Sequence, residues 1–223
     1  MVDGDGNLLR RYRDGDAAIG GMLDDYAFLV QGLLDLYEAT FDFRRIEQAI
    51  ALTARQTALL ADPAGGFFSS AHSDTARLVR SKEDYDGAEP AGNSVALMNL
   101  LRLCRITGDE AYELEARKLV RAFEPKLKTT PWAMPQMLAA AEMDLTPGAE
   151  AVVAGAKAGA MTRLLRAHFD PNRVLLYASP EMRAFHPPMA AMAAAGQDAV
   201  YLCENLVCNA PVFDQESLFK LLK

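Results

Sequence analysis

Apolar residues recur with helical spacing along the first two thirds of the chain, and they define two kinds of helix. Two segments, at about 23–39 and 93–106, are apolar on nearly every side. Each is followed by a segment, at about 43–60 and 110–123, that keeps its charged residues on one face. A helix that is apolar all round is buried, whereas one with a charged face lies at the surface. The pattern therefore predicts two hairpins, each with an inner and an outer helix.

The two hairpins are copies of one repeat, offset by 67 residues without a gap. The offset aligns arginines, a glycine, leucines and a T-x-D turn, as in the pairs Arg10/Arg77, Arg13/Arg80, Gly20/Gly87, Leu33/Leu100, Thr40/Thr107 and Asp42/Asp109. Repeats of this length indicate stacked supersecondary units. A strand-like piece (7–13 and 76–80) and a glycine-rich loop precede each inner helix. A third inner helix is predicted near 131–143, with Pro131 at its start.

This arrangement predicts a mainly α fold for residues 1–145: a partial (α/α) toroid of inner and outer helix hairpins with short β-hairpin loops. The pattern changes in residues 146–223, where apolar strand-like runs alternate with short helices. That alternation predicts a small α/β segment with parallel strands at 150–156, 172–179 and 199–205. A last helix is predicted from 214 onward, with Asp214 as its N-cap.

Composition narrows the classes of partner. The chain has 223 residues, of which 51% are hydrophobic, so it can bury a core. Its net charge of −7 argues against nucleic acid or an anionic membrane surface as the main partner. It has neither an apolar run long enough to span a bilayer nor the apolar core of a signal peptide.

The cysteines predict a reducing, cytoplasmic setting. Cys104, Cys203 and Cys208 are odd in number and loosely spaced, which favours free thiols. The C-x4-C spacing of the last two fits neither a C-x2-C redox pair nor a paired zinc-binding pattern. We predict no cofactor and no metal site.

Polar loops directly precede both inner helices, so the repeat places them at the same end of the bundle. Asp24 and Asp25 in one copy correspond to the stretch containing Asn93 and Ser94 in the other. Free N–H groups at helix N-termini favour acceptors and anions. Each of these residues could equally be an N-cap.

Residues 85–94, "YDGAEPAGNS", are the richest of these loops, and they suggest a sugar site. Sugar hydrolysis needs two carboxyl groups across a cleft, and aromatic faces stack on sugar rings. The candidate catalytic residues are Asp25, Asp86 and Glu89, and the candidate substrate-binding residues are Tyr26, Arg80, Tyr85, Asn93 and Trp132. The alternatives are turn residues for the acids, core packing for the aromatics and a strand-surface role for Arg80.

Four stretches carry a resemblance to a known family: "GGMLDDYAFLVQGLLDLYEATFD", "GGFFSSA", "YDGAEPAGNSVALMNLLRL" and "YLCENLVCNAPVFDQESL". With them, the chain resembles the C-terminal part of the spermatogenesis-associated protein 20 and YyaL-type family. The resemblance implies a thioredoxin-like domain followed by a six-hairpin, glycosidase-like toroid, similar to that of N-acylglucosamine 2-epimerases. It implies a fold and a small carbohydrate ligand, but no established reaction.

Against that family, we expect the chain to be only the C-terminal part, without the thioredoxin-like domain and the first half of the toroid, as either a fragment of a longer protein or a truncated paralogue. The related epimerases use histidines, and only His72 lies near the predicted loops, while His168 and His186 lie in the α/β segment. Two functions stay open: a glycosidase-like or epimerase-like sugar site, and a non-catalytic module or remnant that docks onto another protein domain.

A half-toroid leaves helix sides without neighbours. We therefore expect exposed leucines on both inner helices and either a homodimer or docking onto a missing N-terminal half. The leucines concerned are Leu29, Leu33, Leu36, Leu97, Leu100 and Leu103.

Overall fold

The computed structural model describes residues 1–71, 79–155, 159–194, 196–205 and 207–222. Within this part of the chain there are eight α-helices and two small sheets, so the predicted mainly α class is confirmed. The helix and strand bounds below refer to these residues. No helix among them is both long and apolar enough to cross a bilayer.

The first part of the chain is an antiparallel hairpin of two strands followed by the helices. The strands are β1 (Leu9–Arg13) and β2 (Asp16–Gly20). The helices are α1 (Leu23–Thr40), α2 (Arg44–Leu60), α3 (Gly92–Thr107), α4 (Glu110–Thr129) and α5 (Pro135–Leu145). A 3-10 turn, Pro131–Ala133, precedes α5, so the third inner helix starts at Pro135 rather than at Pro131.

The inner and outer roles predicted for these helices are confirmed by their contacts. α1, α3 and α5 lie side by side in that order, with α2 packed on α1 and α4 on α3. The middle helix, α3, is buried on most sides, as an inner helix flanked by two others should be. α4 extends beyond its predicted end because Pro125 lies on its exposed face. There the missing backbone donor leaves no buried group unpaired.

The predicted strand at 76–80 falls largely outside the described residues, and Arg80 itself is not in a strand. His72 also lies outside them.

The second part of the chain contains a four-stranded sheet in the order β4-β3-β5-β6. Its strands are β3 (Ala149–Ala154), β4 (Arg173–Tyr177), β5 (Ala199–Glu204) and β6 (Val207–Cys208), and its helices are α6 (Gly159–Ala167), α7 (Met189–Ala194) and α8 (Gln215–Leu221). Asp214 caps α8 as predicted, since its carboxylate accepts the Ser217 N–H at 2.8 Å.

The prediction that the strands of this segment are all parallel is wrong for β5. β3 and β4 are parallel, but β5 runs antiparallel to β3. The chain leaves the sheet after Tyr177 and re-enters at Ala199, which pairs with Ala154 at the end of β3. The chain thus returns to the sheet at the same end of the strands at which it left. β5 must therefore run in the direction opposite to β3 and β4.

The sheet buries both of its faces. On one face, Val152, Val174 and Leu176 join the hydrophobic core that includes the inner helices. On the other, Val153, Leu175 and Val200 form a second cluster with residues of α6 and α8. Strands buried on both faces read as continuous apolar runs, which is why the sequence shows them clearly.

The α/β segment packs against the C-terminal ends of the inner helices. The Tyr177 N–H donates to the Tyr37 hydroxyl of α1 at 3.2 Å. The Arg105 guanidinium near the end of α3 donates to the Met143 carbonyl of α5 at 2.6 Å and to the Asn172 carbonyl just before β4. The N-terminal ends of the helices are therefore at the opposite end from the sheet.

Two expectations about exposed groups need correction. On α1, Leu29 and Leu36 are exposed as predicted, but the α3 leucines Leu97, Leu100 and Leu103 are fully buried because α3 has neighbours on both sides. The prediction of free thiols is wrong for Cys203 and Cys208, which form a disulfide, whereas Cys104 is free. Cys203 and Cys208 lie directly opposite each other on the antiparallel strands β5 and β6, which brings their sulfur atoms together. The C-x4-C spacing alone does not predict this hairpin.

Candidate functional site

The N-termini of α1 and α3 lie side by side, which confirms the shared end that the repeat predicts. The Asp24 carboxylate in the first turn of α1 lies against the backbone of Gly92, the first residue of α3. A β-carbon on Gly92 would overlap that carboxylate and would lie 2.8 Å from Leu23 Cγ. The close approach of the two helix starts therefore depends on a glycine at this position.

The Asp86 carboxylate joins the start of α3 to the start of α5. One oxygen accepts the Ala91 N–H at 2.8 Å, and the other accepts the Gln136 N–H at 2.8 Å and the Met137 N–H at 3.4 Å. A carboxylate at two helix N-termini satisfies backbone donors that have no partner within the helices, and it lies at their positive ends. All three inner helices thus begin at one end of the layer.

Three of the predicted site residues make buried or capping contacts. Asn93 is fully buried, and its side-chain amide bonds both the N–H and the carbonyl of Phe67, at 2.8 and 2.9 Å. Tyr26 is fully buried, and its hydroxyl accepts the Leu8 N–H at 2.8 Å. Asp25 accepts the Met22 N–H at 2.8 Å and lies 3.5 Å from Arg10, so it caps its own helix.

Arg80 is half-buried and anchors the chain around Phe68. Its guanidinium donates to the Ser70 carbonyl at 3.0 Å and lies 4.0 Å from the centre of the Phe68 ring. The neighbouring Lys82 donates to the Gly65 carbonyl at 2.6 Å. Both cations thus hold the loop that follows α2.

Tyr85, Trp132 and Glu89 remain accessible at this end. Tyr85 is 64% exposed and Trp132 is 76% exposed. The two aromatic residues directly precede Asp86 and Ala133, which are joined by a backbone hydrogen bond of 2.8 Å. Glu89 is also exposed. Two exposed aromatic side chains therefore lie beside the place where Asp86 joins the starts of α3 and α5.

Burial and neighbouring charges perturb the Asp24 carboxylate. Its pKa is raised by burial, and the charges of Glu83 and Asp25 raise it further, against the opposing effect of the Gly92 backbone N–H and Arg10. The sequence contains a signal that separates Asp24 from the predicted catalytic residue Asp25. Asp25 is the third residue of α1, where an acidic side chain reaches back to cap the helix, whereas Asp24 points elsewhere along the helix.

The two histidines of the α/β segment lie away from this end. His168 directly follows α6. His186 is buried, its Nε2 lies 2.7 Å from the Ile106 carbonyl at the end of α3, and burial lowers its pKa. Among the described residues there is no group of three His, Cys, Asp or Glu side chains arranged to hold a metal ion.

Cavities with charged side chains in their lining lie at the sheet end of the helices, among residues that no sequence motif marks. A cleft of about 520 Å³ is lined by residues that include Arg105, Arg117 and Glu150. A cavity of about 350 Å³ is lined by residues that include Glu38, Arg166 and His168. They form where helix ends meet the sheet, so their residues are far apart in the chain and no local motif marks them.

The fold is a row of three inner helices, of which α1 and α3 carry outer partners, with a mixed sheet at one end and the helix starts at the other. These features define a mainly α protein with a hairpin repeat. Over 213 residues, or 91% of the chain, it is 34% identical to spermatogenesis-associated protein 20 of Homo sapiens and 35% identical to that of Mus musculus. An uncharacterized protein of Caenorhabditis elegans is 32% identical over 204 residues, or 89% of the chain. The chain is therefore a homologue of spermatogenesis-associated protein 20, as the resemblance predicted.

The match covers only a part of these relatives. The chain spans 27% of the length of the human and mouse proteins and 28% of the length of the nematode protein. No protein-family model matches the chain.

Proposed function

We propose that the chain is the C-terminal part of a glycosidase-like (α/α) toroid and that it binds a sugar or sugar derivative at the N-terminal end of its inner helices. The order α1–α3–α5, with outer helices on α1 and α3, supports the ring plan. The relationship to spermatogenesis-associated protein 20 supports it as well.

The observation that carries the sugar proposal is the pair of exposed aromatic residues, Tyr85 and Trp132, beside Asp86. Large aromatic side chains are usually buried, and exposed ones next to polar groups suit a ligand with one apolar and one hydroxyl-bearing side. The helix N-termini add an environment that favours hydrogen-bond acceptors.

Within this proposal, the predicted residues take different roles. Tyr85 and Trp132 contact the ring, and Glu89 accepts hydrogen bonds from sugar hydroxyls. Asp25 and Asp86 already accept backbone N–H groups, so they position the helix starts, as do Asn93, Tyr26 and Arg80. The proposed activity is binding rather than catalysis, because the carboxylates of Asp25 and Asp86 already accept hydrogen bonds from backbone N–H groups.

Trp132 is the single tryptophan of the chain, so its fluorescence reports directly on this surface. Titration with glucose, mannose, N-acetylglucosamine and cellobiose should give a saturable change in emission for at least one of them. Tyr85→Ala should weaken that binding, whereas Leu114→Ala on the exposed face of α4 should not. Absence of a saturable change with all four sugars would reject the proposal.

A second function, a non-catalytic interaction module, is favoured by a different observation. The flank of α1 that faces away from α3 exposes Leu29 and Leu36. Exposed apolar surface of this kind marks protein contacts. In this reading the chain associates with a second copy or with the remaining part of a longer family protein.

A further inference from the structure

The row α1–α3–α5 has two open ends, and both are apolar. At one end, a groove of about 540 Å³ between α1 and α2 is lined by Leu29, Leu33 and Leu52. At the other end, α5 exposes Leu138 and Leu145, which are seven residues apart and so share one face. The middle helix, α3, is buried between two inner helices, whereas α1 and α5 each have an inner helix on one side only.

The two open ends also differ in charge. Arg45 and Arg55 line the groove beside α1. Arg45 shares the Asp42 carboxylate with Arg44, and Arg55 bonds the Asn7 side chain near the Asp3 carboxylate. The three arginines therefore outnumber these two carboxylates, which leaves an excess of positive charge beside the groove. Glu142 is exposed on α5, between Leu138 and Leu145.

We propose that the α5 face (Leu138, Glu142 and Leu145) of one copy docks into the α1–α2 groove of a second copy. The leucines would cover the apolar floor of the groove, and Glu142 would pair with its arginines. In this contact, α5 of one copy packs beside α1 of the other, as neighbouring inner helices pack side by side within one copy. Each copy carries both surfaces, so two copies related by a twofold axis make the contact twice and close into a dimer.

This inference rests on the proposed ring plan and not on sugar binding. A failed sugar titration leaves it standing, and its own failure leaves Tyr85 and Trp132 untouched. The two are therefore tested separately.

The test uses two variants of the 223-residue chain, each with one of the two surfaces disrupted. Leu29→Glu with Leu36→Glu disables the α1 side, and Leu138→Glu with Leu145→Glu disables the α5 side. All four leucines are at least 39% exposed, so both variants should fold, which circular dichroism can confirm. Leu114→Glu, at a 58% exposed position on α4, is the matched control.

In sedimentation equilibrium at micromolar concentration, the wild type and the control should give twice the 24.3 kDa mass of the chain. Each variant alone should be a monomer. Mixed together they should form a 1:1 dimer through the one contact that remains intact. Arg45→Glu and Glu142→Arg should each weaken the wild-type dimer, and their combination in one chain should restore it.

A wild type that stays at 24.3 kDa overturns the proposal and leaves the flanks to another segment of longer family members. A variant that still dimerises alone overturns it too, because association would then join like surfaces. A mixture that stays monomeric does the same.

Discussion

Asp86 is the residue on which the arrangement of the inner helix starts depends most. Its half-buried carboxylate accepts backbone N–H groups from Ala91, Gln136 and Met137. Loss of a single capping acceptor costs about 1 kcal/mol, and unpaired buried donors add to that cost.

Asp86→Ala should therefore lower the free energy of unfolding by about 2–3 kcal/mol, whereas Asp86→Asn, which keeps one oxygen, should cost less. Urea denaturation measures both. Glu89→Ala is the control, since an exposed side chain of the same loop should change stability by less than about 0.5 kcal/mol. Equal stability of Asp86→Ala and wild type would mean that the loop is merely solvated.

Asp24 should make stability depend on pH. Burial, Glu83 and Asp25 raise its pKa in the folded state, while Arg10 and the Gly92 N–H oppose the shift. A carboxyl group with a raised folded pKa destabilises the fold once it ionises, so stability is lost as pH rises through that pKa.

Asp24→Asn keeps an oxygen for the Gly92 N–H but cannot ionise. Near pH 4 the variant and the wild type should be similar in stability, and the variant should become the more stable as pH rises toward 7. Denaturation curves at several pH values measure the difference. Asp25→Asn is the contrasting variant, because Asp25 lies beside Arg10 and its replacement should not stabilise the protein. A constant difference between Asp24→Asn and wild type at all pH values would contradict this account.

At this scale the sequence placed the candidate residues near one end of the helix layer, but it did not show which of them serve the fold. An amide such as that of Asn93 and a ring such as that of Tyr26 are common in ligand-binding sites. Only the burial of both side chains shows that they belong to the core. Burial depends on contacts with Phe67 and Leu8, which are distant in the chain. No local pattern could have separated Asn93 from Tyr85.

Among the structural elements, the helices were the most predictable. The boundaries of α1–α5 follow the hydrophobic pattern to within a few residues except at the end of α4, and the repeat correctly aligned the starts of α1 and α3. The direction of β5 was not predictable, because it depends on where a Pro-rich connection returns to the sheet.

The two helix glycines of the inner row should respond oppositely to alanine. At Gly92 a β-carbon would overlap the Asp24 carboxylate, so Gly92→Ala should destabilise by about 1–3 kcal/mol. At Gly32 in α1 nothing lies within 4 Å of a β-carbon, so Gly32→Ala should stabilise by about 0.5–1 kcal/mol. Chemical denaturation of both variants tests the contrast, and a destabilising Gly32→Ala or a neutral Gly92→Ala would show that the helix contacts differ from those described.

At the scale of the whole molecule, one continuous hydrophobic core crosses the boundary at residue 145 that the sequence predicts. Val152, Val174 and Leu176 of the sheet belong to the same hydrophobic cluster as Leu34 and Leu97 of the inner helices. Phe41 at the end of α1 stacks on Tyr177 of β4 with ring centres 5.4 Å apart. The change in composition at 145 marks a change of secondary structure, and this shared core indicates that the two parts depend on each other.

We therefore expect one cooperative unfolding transition. Leu176 is fully buried in the sheet, so Leu176→Ala should remove about 2–5 kcal/mol. If the core is continuous, that loss should appear equally in circular dichroism and in the fluorescence of Trp132, which lies just before α5 at the other end of the helices. Phe169→Ala, at an 88% exposed position next to the sheet, should shift neither transition. If Leu176→Ala instead splits the curve, with Trp132 reporting an unchanged transition, then the helices fold without the sheet and residues 1–145 and 146–223 are separate domains.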